Sequence, residues 1–521
     1  MSIATMIGGL GFAGIASAET IVATDTGFSQ IPPAATNLVL GKAGDKGHIL
    51  VVPYFTAQDG NMSVFHVVNT DTINGKAVKV RFRGASNSDD ILDFQLFMSP
   101  GDVWTGAVRQ GANGNAMLET SDTSCTVPKI PAGGASFVTD RLNPSLDDAG
   151  KANETREGYV ELFTMADIPP SSVTASLYGT IKHKTNGAAP DCTQTILESS
   201  TGNLSNITTA ANARSIGFDT PTGSLFGDWY IINVAQTTTF SGSATVIRAE
   251  SDPGVLGRGN FVHFPQSANP AGDATAMANT ADPLFRTSWF DGTYASVSGT
   301  PAIPAAYYDL PDLSTPYTTL VALSTTAPLT QAGLLTASIA TNNVSNQFAT
   351  DTSISAKTDF VFSMPTRRYS VAYDYEESGR DGLRFSKLYD GAAAYPDNQQ
   401  WFSSSVVTVT GKQICVTAAG QDFYSREEQT VSAGAVFSPG QVSKTTLCGE
   451  ASVLSIGGSV LGATVAKQSV TPNFVNGWLK VNFSGVGLPV QGFAATKLTN
   501  PQATTGVSGN YGITWPHRFI N

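Results

Sequence analysis

Three local groups of acidic residues hold the densest potential for chemistry in this chain: Asp89, Asp90 and Asp93; Asp147 and Asp148; and Asp374, Glu376, Glu377 and Asp381. Two carboxylates serve glycoside hydrolysis when they flank the scissile bond about 5 Å or about 6.5–9.5 Å apart. Oxygen clusters in Gly- and Asn-rich loops equally suit Ca2+, which takes about six to eight oxygen ligands. Solvated turn carboxylates are the simplest reading of all three groups. Calcium is the next, at Asp89, Asp90, Asp93, Asp374, Glu376, Glu377 and Asp381; acid–base catalysis comes last, with Asp89, Asp93 and Glu377 the first to mutate. Residues 69–75 look superficially like a calcium loop, but the third ligand is displaced by one and Val80 stands where the closing acid belongs.

Other chemistries fail on spacing. The five histidines, His48, His66, His183, His263 and His517, lie far apart, and no pair has the close spacing that sets two imidazoles on one metal. The Gly506-Val507-Ser508-Gly509-Asn510 stretch lacks the last glycine of a nucleophile elbow. Gly9-Leu10-Gly11-Phe12-Ala13-Gly14 spells a dinucleotide-binding fingerprint, but with no strand before it and no acid on a strand after it. Among the six tryptophans, Trp229 and Trp478 sit in predicted strands and read as core. Trp289 and Trp401, in looser sequence, are the candidates for stacking on a sugar.

The elements that must position these residues are strands. Val78, Val80 and Phe82 alternate with Lys79, Arg81 and Arg83, a period of two that predicts a half-buried strand with a basic outer face. Ile49-Leu50-Val51-Val52, Phe65-His66-Val67-Val68 and Leu92-Asp93-Phe94-Gln95-Leu96 read likewise, as do residues 159–163, 175–181, 229–234 and 243–248. Asn69 and Asn233 each close a strand, and both strands look like the first arm of a hairpin. Short strands at this spacing predict a sandwich over residues 41–265. Residues 266–349 read as a linker followed, over 317–348, by a helix pair interrupted near Pro328. Strands resume at Phe360-Val361-Phe362 and near 406–409, 413–416, 453–456, 478–483 and 511–515, giving a second β domain over 350–521. The fold class expected is mainly β: two β-sandwich-like domains, Ig-like or jelly-roll-like, with a small helical insert.

Residues 1–18 read as a signal-peptide-like leader, with an apolar run ending at Ala16-Ser17-Ala18. No Lys or Arg precedes Lys42, so the basic start of that leader is expected upstream. The run is shorter than the roughly 20 residues of a membrane-spanning helix. After cleavage, residues 19–40 form an N-terminal arm whose Ile21, Val22, Leu38 and Leu40 could add a strand to a neighbouring copy or complete the chain's own first sheet. The four cysteines, Cys125, Cys192, Cys415 and Cys448, suit an oxidising compartment. Three pairings are open; Cys125 with Cys192 and Cys415 with Cys448 is favoured, because each pair then stays within one domain. Only 14% of the 521 residues are charged, with 30 Lys and Arg against 41 Asp and Glu. That balance excludes nucleic acid as a partner by bulk charge, and the 41% hydrophobic content excludes disorder.

The leader, Val51-Val52-Pro53-Tyr54-Phe55, the stretch from Val68-Asn69-Thr70 to Phe82-Arg83, and Leu96-Phe97-Met98-Ser99-Pro100-Gly101-Asp102-Val103-Trp104 give the chain a family likeness. Phe362-Ser363-Met364-Pro365-Thr366, Arg426-Glu427-Glu428 and Leu447-Cys448 extend it. On these residues the chain resembles exported, β-rich, surface-layer-like proteins of Gram-negative bacteria. The resemblance implies a scaffold and carries no catalytic residues. The function expected is a non-enzymatic structural cell-surface protein, outside the cell rather than periplasmic, assembling with itself into a layer or filament. An exported glycan-binding module or adhesin is the alternative, with a secreted glycan-active enzyme behind it. Outer-membrane surface glycan or lipopolysaccharide is the expected second partner, no transmembrane segment is expected, and Ca2+ is the one cofactor to test.

Overall fold

The structure is a computed structural model and describes residues 20–21, 25, 27–42, 44–201, 209–262, 295–296, 327–385, 401–432, 444–483, 487–504 and 509–520. The leader, Val22, Trp289 and most of the 266–326 stretch lie outside the described residues.

The first lobe runs through β1 (Thr20–Ile21), β2 (Asn37–Leu40), β3 (Ile49–Thr56), β4 (Met62–Asn69), β5 (Gly75–Gly84) and β6 (Asp90–Met98). It continues with β7 (Val103–Gln110), β8 (Ala116–Glu119), β9 (Cys125–Val127), β10 (Ala135–Ser136), α1 (Asp148–Thr155) and β11 (Glu157–Ile168). Helices α2 (Leu177–Ile181), α3 (Gln194–Thr201) and α4 (Ala210–Ile216) precede β12 (Leu225–Asn233), β13 (Thr238–Ser243), β14 (Thr245–Asp252), β15 (Val255–Leu256) and β16 (Phe261–Val262). A six-stranded sheet ordered β10-β8-β7-β4-β12-β13 faces a larger one ordered β15-β14-β3-β11-β5-β6-β9, with β2 paired to β14. Alternation builds the interior: every second residue of β12 is buried. Phe55, Phe65, Phe82 and Phe137 meet edge to face inside, at centroid separations of 5.1 to 6.0 Å.

The second lobe opens with β17 (Ala295–Ser296), α5 (Ala327–Ser338), β18 (Ala340–Thr341), β19 (Asn343–Ala349), β20 (Lys357–Ser363), β21 (Val371–Tyr373) and β22 (Leu383–Phe385). Next are β23 (Val407–Thr410), β24 (Gln413–Thr417), β25 (Gly420–Ser425), β26 (Thr430–Ser432), β27 (Thr446–Cys448) and β28 (Ala451–Ile456). It ends with β29 (Lys467–Val470), β30 (Asn476–Asn482), β31 (Leu488–Pro489), β32 (Gln491–Thr499), β33 (Asn510–Pro516) and β34 (Arg518–Ile520). Two five-stranded sheets, β26-β25-β30-β19-β34 and β29-β28-β20-β32-β33, make its sandwich. In β20, Phe360 and Phe362 enter the second lobe's core, while Val361 joins the first lobe's. That is why the sequence there is apolar without alternation: the strand is covered on both faces. Val453, Phe493 and Ala495 join Val361, so one apolar cluster runs through both lobes.

Both disulfides form as favoured from sequence, Cys125–Cys192 and Cys415–Cys448. Among the described residues no helix is long and apolar enough to cross a membrane. Several expectations are corrected. All ten residues of β5 are buried, so its basic face is not exposed: the second lobe and neighbouring acids cover it. The strands ending at Asn69 and beginning at Gly75 are not a hairpin, because β4 and β5 belong to opposite sheets. Asn69 still bends the chain, its Oδ1 accepting the Asp71 amide at 3.0 Å, as Asn233 accepts that of Gln236. Residues 177–181 are helical, not a strand, with the Ser176 side chain capping the first turn. Pro328 stands near the start of α5, where its missing N–H costs nothing; the part of the expected helix pair before it lies outside the described residues, and after α5 the chain forms β18 and β19 rather than helix. The second sandwich begins with β19, earlier than residue 350.

Candidate functional site

The acidic groups take separate partners instead of converging. Asp147 caps α1, accepting the Gly150 amide at 2.8 Å. Asp93 pairs with Lys79 at 2.5 Å, and Asp90 lies 3.8 Å from Arg141. Asp89 is buried and accepts a hydrogen bond of 2.5 Å from the Tyr375 hydroxyl of the other lobe. Asp374 is buried and bonds the Glu376 amide at 3.0 Å, while Glu376, Glu377 and Asp381 lie exposed. Among the described residues no three His, Cys, Asp or Glu side chains gather as a metal site requires. The arm residues are also used internally: Ile21 pairs with Phe261, and Leu38 and Leu40 pair with Ala249 and Ile247. Leu38 and Leu40 thereby complete the chain's own first sheet, with β2 as a strand on its edge.

The buried charges form a junction between lobes. Glu161 accepts from Arg368 Nη2 at 2.7 and 2.8 Å and has Arg83 Nε 3.6 Å away. Arg367 pairs with Glu450 at 2.9 Å and donates to the Ile414 and Ser86 carbonyls. Glu157 accepts three successive amides of the second lobe, Thr464, Val465 and Ala466, at 2.6, 2.9 and 3.1 Å. Burial pushes the Glu157 carboxyl up, and those amides oppose the shift. Such groups are closed to a substrate; their work is to hold one lobe on the other.

The accessible site lies on the second sandwich. In β30, Leu479 and Val481 point into the core while Trp478, Lys480 and Asn482 share the outer face. Trp478 is 38% exposed and lies parallel to Tyr424 of the adjoining β25, ring centroids 3.8 Å apart and planes within 4°. Trp515 of β33 is 42% exposed and lines the same open cleft of about 690 Å3. Asp351, Arg426, Asn476 and Gln347 supply polar groups around it. Hydrogen bonds from the Ser353 hydroxyl and amide, aided by Asn476 and the Arg426 charge, hold Asp351 below the ordinary carboxylate range. The cleft thus offers flat apolar faces beside both donors and acceptors, with one acid balancing one base.

Sequence reading reversed two tryptophans. Trp401 is 3% exposed and packs with Phe402 in the second lobe's core, so it cannot stack on a sugar. Trp478, read as core, faces outward. The signal was present: in a period-two strand Trp478 falls in phase with Lys480 and Asn482 and out of phase with Leu479 and Val481. No family model, no curated protein and no solved structure matches the chain.

Proposed function

We propose that the protein is a non-catalytic building block of the cell surface whose second sandwich holds surface glycan in the Trp478–Trp515 cleft. One observation carries this reading: two large rings are left in water inside a single cleft, one of them backed by a parallel tyrosine. Apolar ring surface left in water forgoes burial worth about 25 cal/mol per Å2, and exposed apolar surface gathered in one place marks an interaction site. A pyranose has an apolar face for such a ring and hydroxyls that both donate and accept, which suits Asp351, Arg426, Asn476 and Gln347. The two disulfides fit an oxidising compartment. A body locked across its lobes also suits assembly with other copies into a layer.

The test is a glycan array carrying lipopolysaccharide-derived and capsular oligosaccharides, probed with wild type, Trp478→Ala and Trp515→Ala. Wild type binds a defined saccharide, and each variant loses about tenfold or more, corresponding to about 1.4 kcal/mol of stacking. A wild type that binds nothing, or variants that bind as it does, overturns the reading.

A further inference from the structure

Lys76 and Asp167 face each other in the first lobe's larger sheet, direct partners in the register of β5 and β11. Both are fully buried. Lys76 Nζ lies 2.5 Å from Asp167 Oδ1, and that oxygen is one bond from the carbon an amine would attack. A second acid meets the same nitrogen: Asp71 Oδ2 accepts from Lys76 at 2.9 Å. The 69–75 loop, calcium-like in sequence, holds that acid in place. The Ile73 and Asn74 amides each donate to Asp71 Oδ1 at 2.9 Å, and Asn74 Nδ2 donates to Oδ2 at 3.0 Å. Thr222 closes the group. Its hydroxyl accepts from Lys76 at 2.7 Å and donates to Asp167 Oδ2 at 2.8 Å, and its amide donates to Oδ1 at 3.1 Å. Burial pushes the Asp167 carboxyl up, against the pull of the Lys76 charge. A buried ion pair gains little over a neutral replacement, so condensation of this pair would remove two desolvated charges at once. The other lysine–acid pair of β5 lacks that setting, because the Asp93 side chain beside Lys79 is 25% exposed to water.

We propose that Lys76 and Asp167 join in an intramolecular amide, formed by the folded protein itself with Asp71 as proton carrier. The Lys76 ammonium passes one proton to Asp71, and the freed amine attacks Asp167 Cγ. The Thr222 amide steadies the charge that develops on Oδ1, which becomes the amide oxygen. The bond from Cγ to Oδ2 breaks. Oδ2 leaves as water with two protons that began on Lys76, one carried by Asp71 and one by the Thr222 hydroxyl. The third proton stays on the amide nitrogen, so ammonium and carboxylate give amide and water with no oxidant, reductant or activating group. Fixed, water-free placement of the partners supplies the drive that a free amine and acid lack. The link spans 91 residues of chain and is independent of the glycan cleft. Mass spectrometry of the full-length protein, folded, then denatured, reduced and digested, tests it. The fragments holding residues 76 and 167 come off as one branched species, lighter by one water than the two together. Lys76→Arg, which keeps the charge, releases them separately. In chain isolated unfolded in urea and then refolded, the link forms with time, and Asp71→Asn slows it by about a hundredfold or more, the usual contribution of a proton-transfer group. Separate wild-type fragments of full mass, a lost water that maps to other residues, or an Asp71→Asn chain that links as fast as wild type overturns the proposal. The wild-type fragments decide even if both variants fail to fold.

Discussion

At the scale of single residues, the two buried histidines among the described residues, His48 and His517, share one wiring. His48 accepts the Ala249 amide on Nδ1 and meets the Gly257 carbonyl with Nε2, both at 3.1 Å. His517 repeats the pattern with Asn346 and Val361. Burial lowers each to about 3, and in His48 the Lys76 and Arg248 charges add to it. A lowered histidine contributes stability that is present above its unfolded value near 6.5 and is lost as pH falls toward about 3. Asp359 acts oppositely: burial raises it to about 6, so its stabilising contribution is lost as pH rises through the same window. A difference between variants isolates the histidine. In His517→Gln, where the amide reproduces one donor and one acceptor, stability relative to wild type rises by about 1.4 kcal/mol for each pH unit between about 6.5 and 3. Urea midpoints at several pH values measure this, and a pH-independent difference would mean that His517 ionises freely in the folded state. Nothing near residue 517 in the sequence marks the histidine as neutral, because its partners come from strands far away in the chain.

At the scale of elements, β11 and β5 carry the junction, and their approach depends on Gly158. A Cβ added there would stand 1.8 Å from the Arg83 carbonyl oxygen, a contact only backbone displacement could relieve. Gly158→Ala therefore costs about 1–3 kcal/mol or more, as overpacking does, whereas Gly133→Ala, with open space around it, stays within about 0.5 kcal/mol. Denaturant unfolding of both variants compares them, and equal stabilities would mean that the two strands can separate freely. In the second lobe β20, β24, β28, β30 and β33 fall where apolar runs and alternation place them, whereas β19 lies in the stretch read as helical and β25 and β32 were not read as strands. What period two does not reveal is what covers the second face. Lys79, Arg81 and Arg83 look solvated in a lone strand, yet all three are buried: Asp93 of β6 meets Lys79, and Glu161 of β11, itself held by Arg368, meets Arg83. The short helices α1 to α4 were illegible for a related reason: each is about two turns or fewer, too short for its periodicity to stand out, and is set by caps and tertiary packing.

At the scale of the molecule, the lobes are tied by more than a chain connection. Val361, Val453 and Phe493 share a core with Leu50 and Phe82. The Ala85 carbonyl accepts the Glu450 and Ala451 amides at 2.7 and 3.1 Å, and Asn61 donates to the Leu461 carbonyl at 2.8 Å. With Glu161 on Arg368 and Glu157 on residues 464–466, separating the lobes would strand buried charges and open apolar surface together. Those costs act on both lobes at once, so neither has an independent melting point. Calorimetry and tryptophan fluorescence are expected to trace one coincident transition. Glu161→Gln removes the buried carboxylate charge that Arg368 and Arg83 share, which costs about 3–5 kcal/mol. It shifts that single transition as a whole, because the junction belongs to both lobes. Two resolved transitions in wild type, or a variant in which only one half of the unfolding signal moves, would show instead that each sandwich folds alone and that the ionic junction merely docks them.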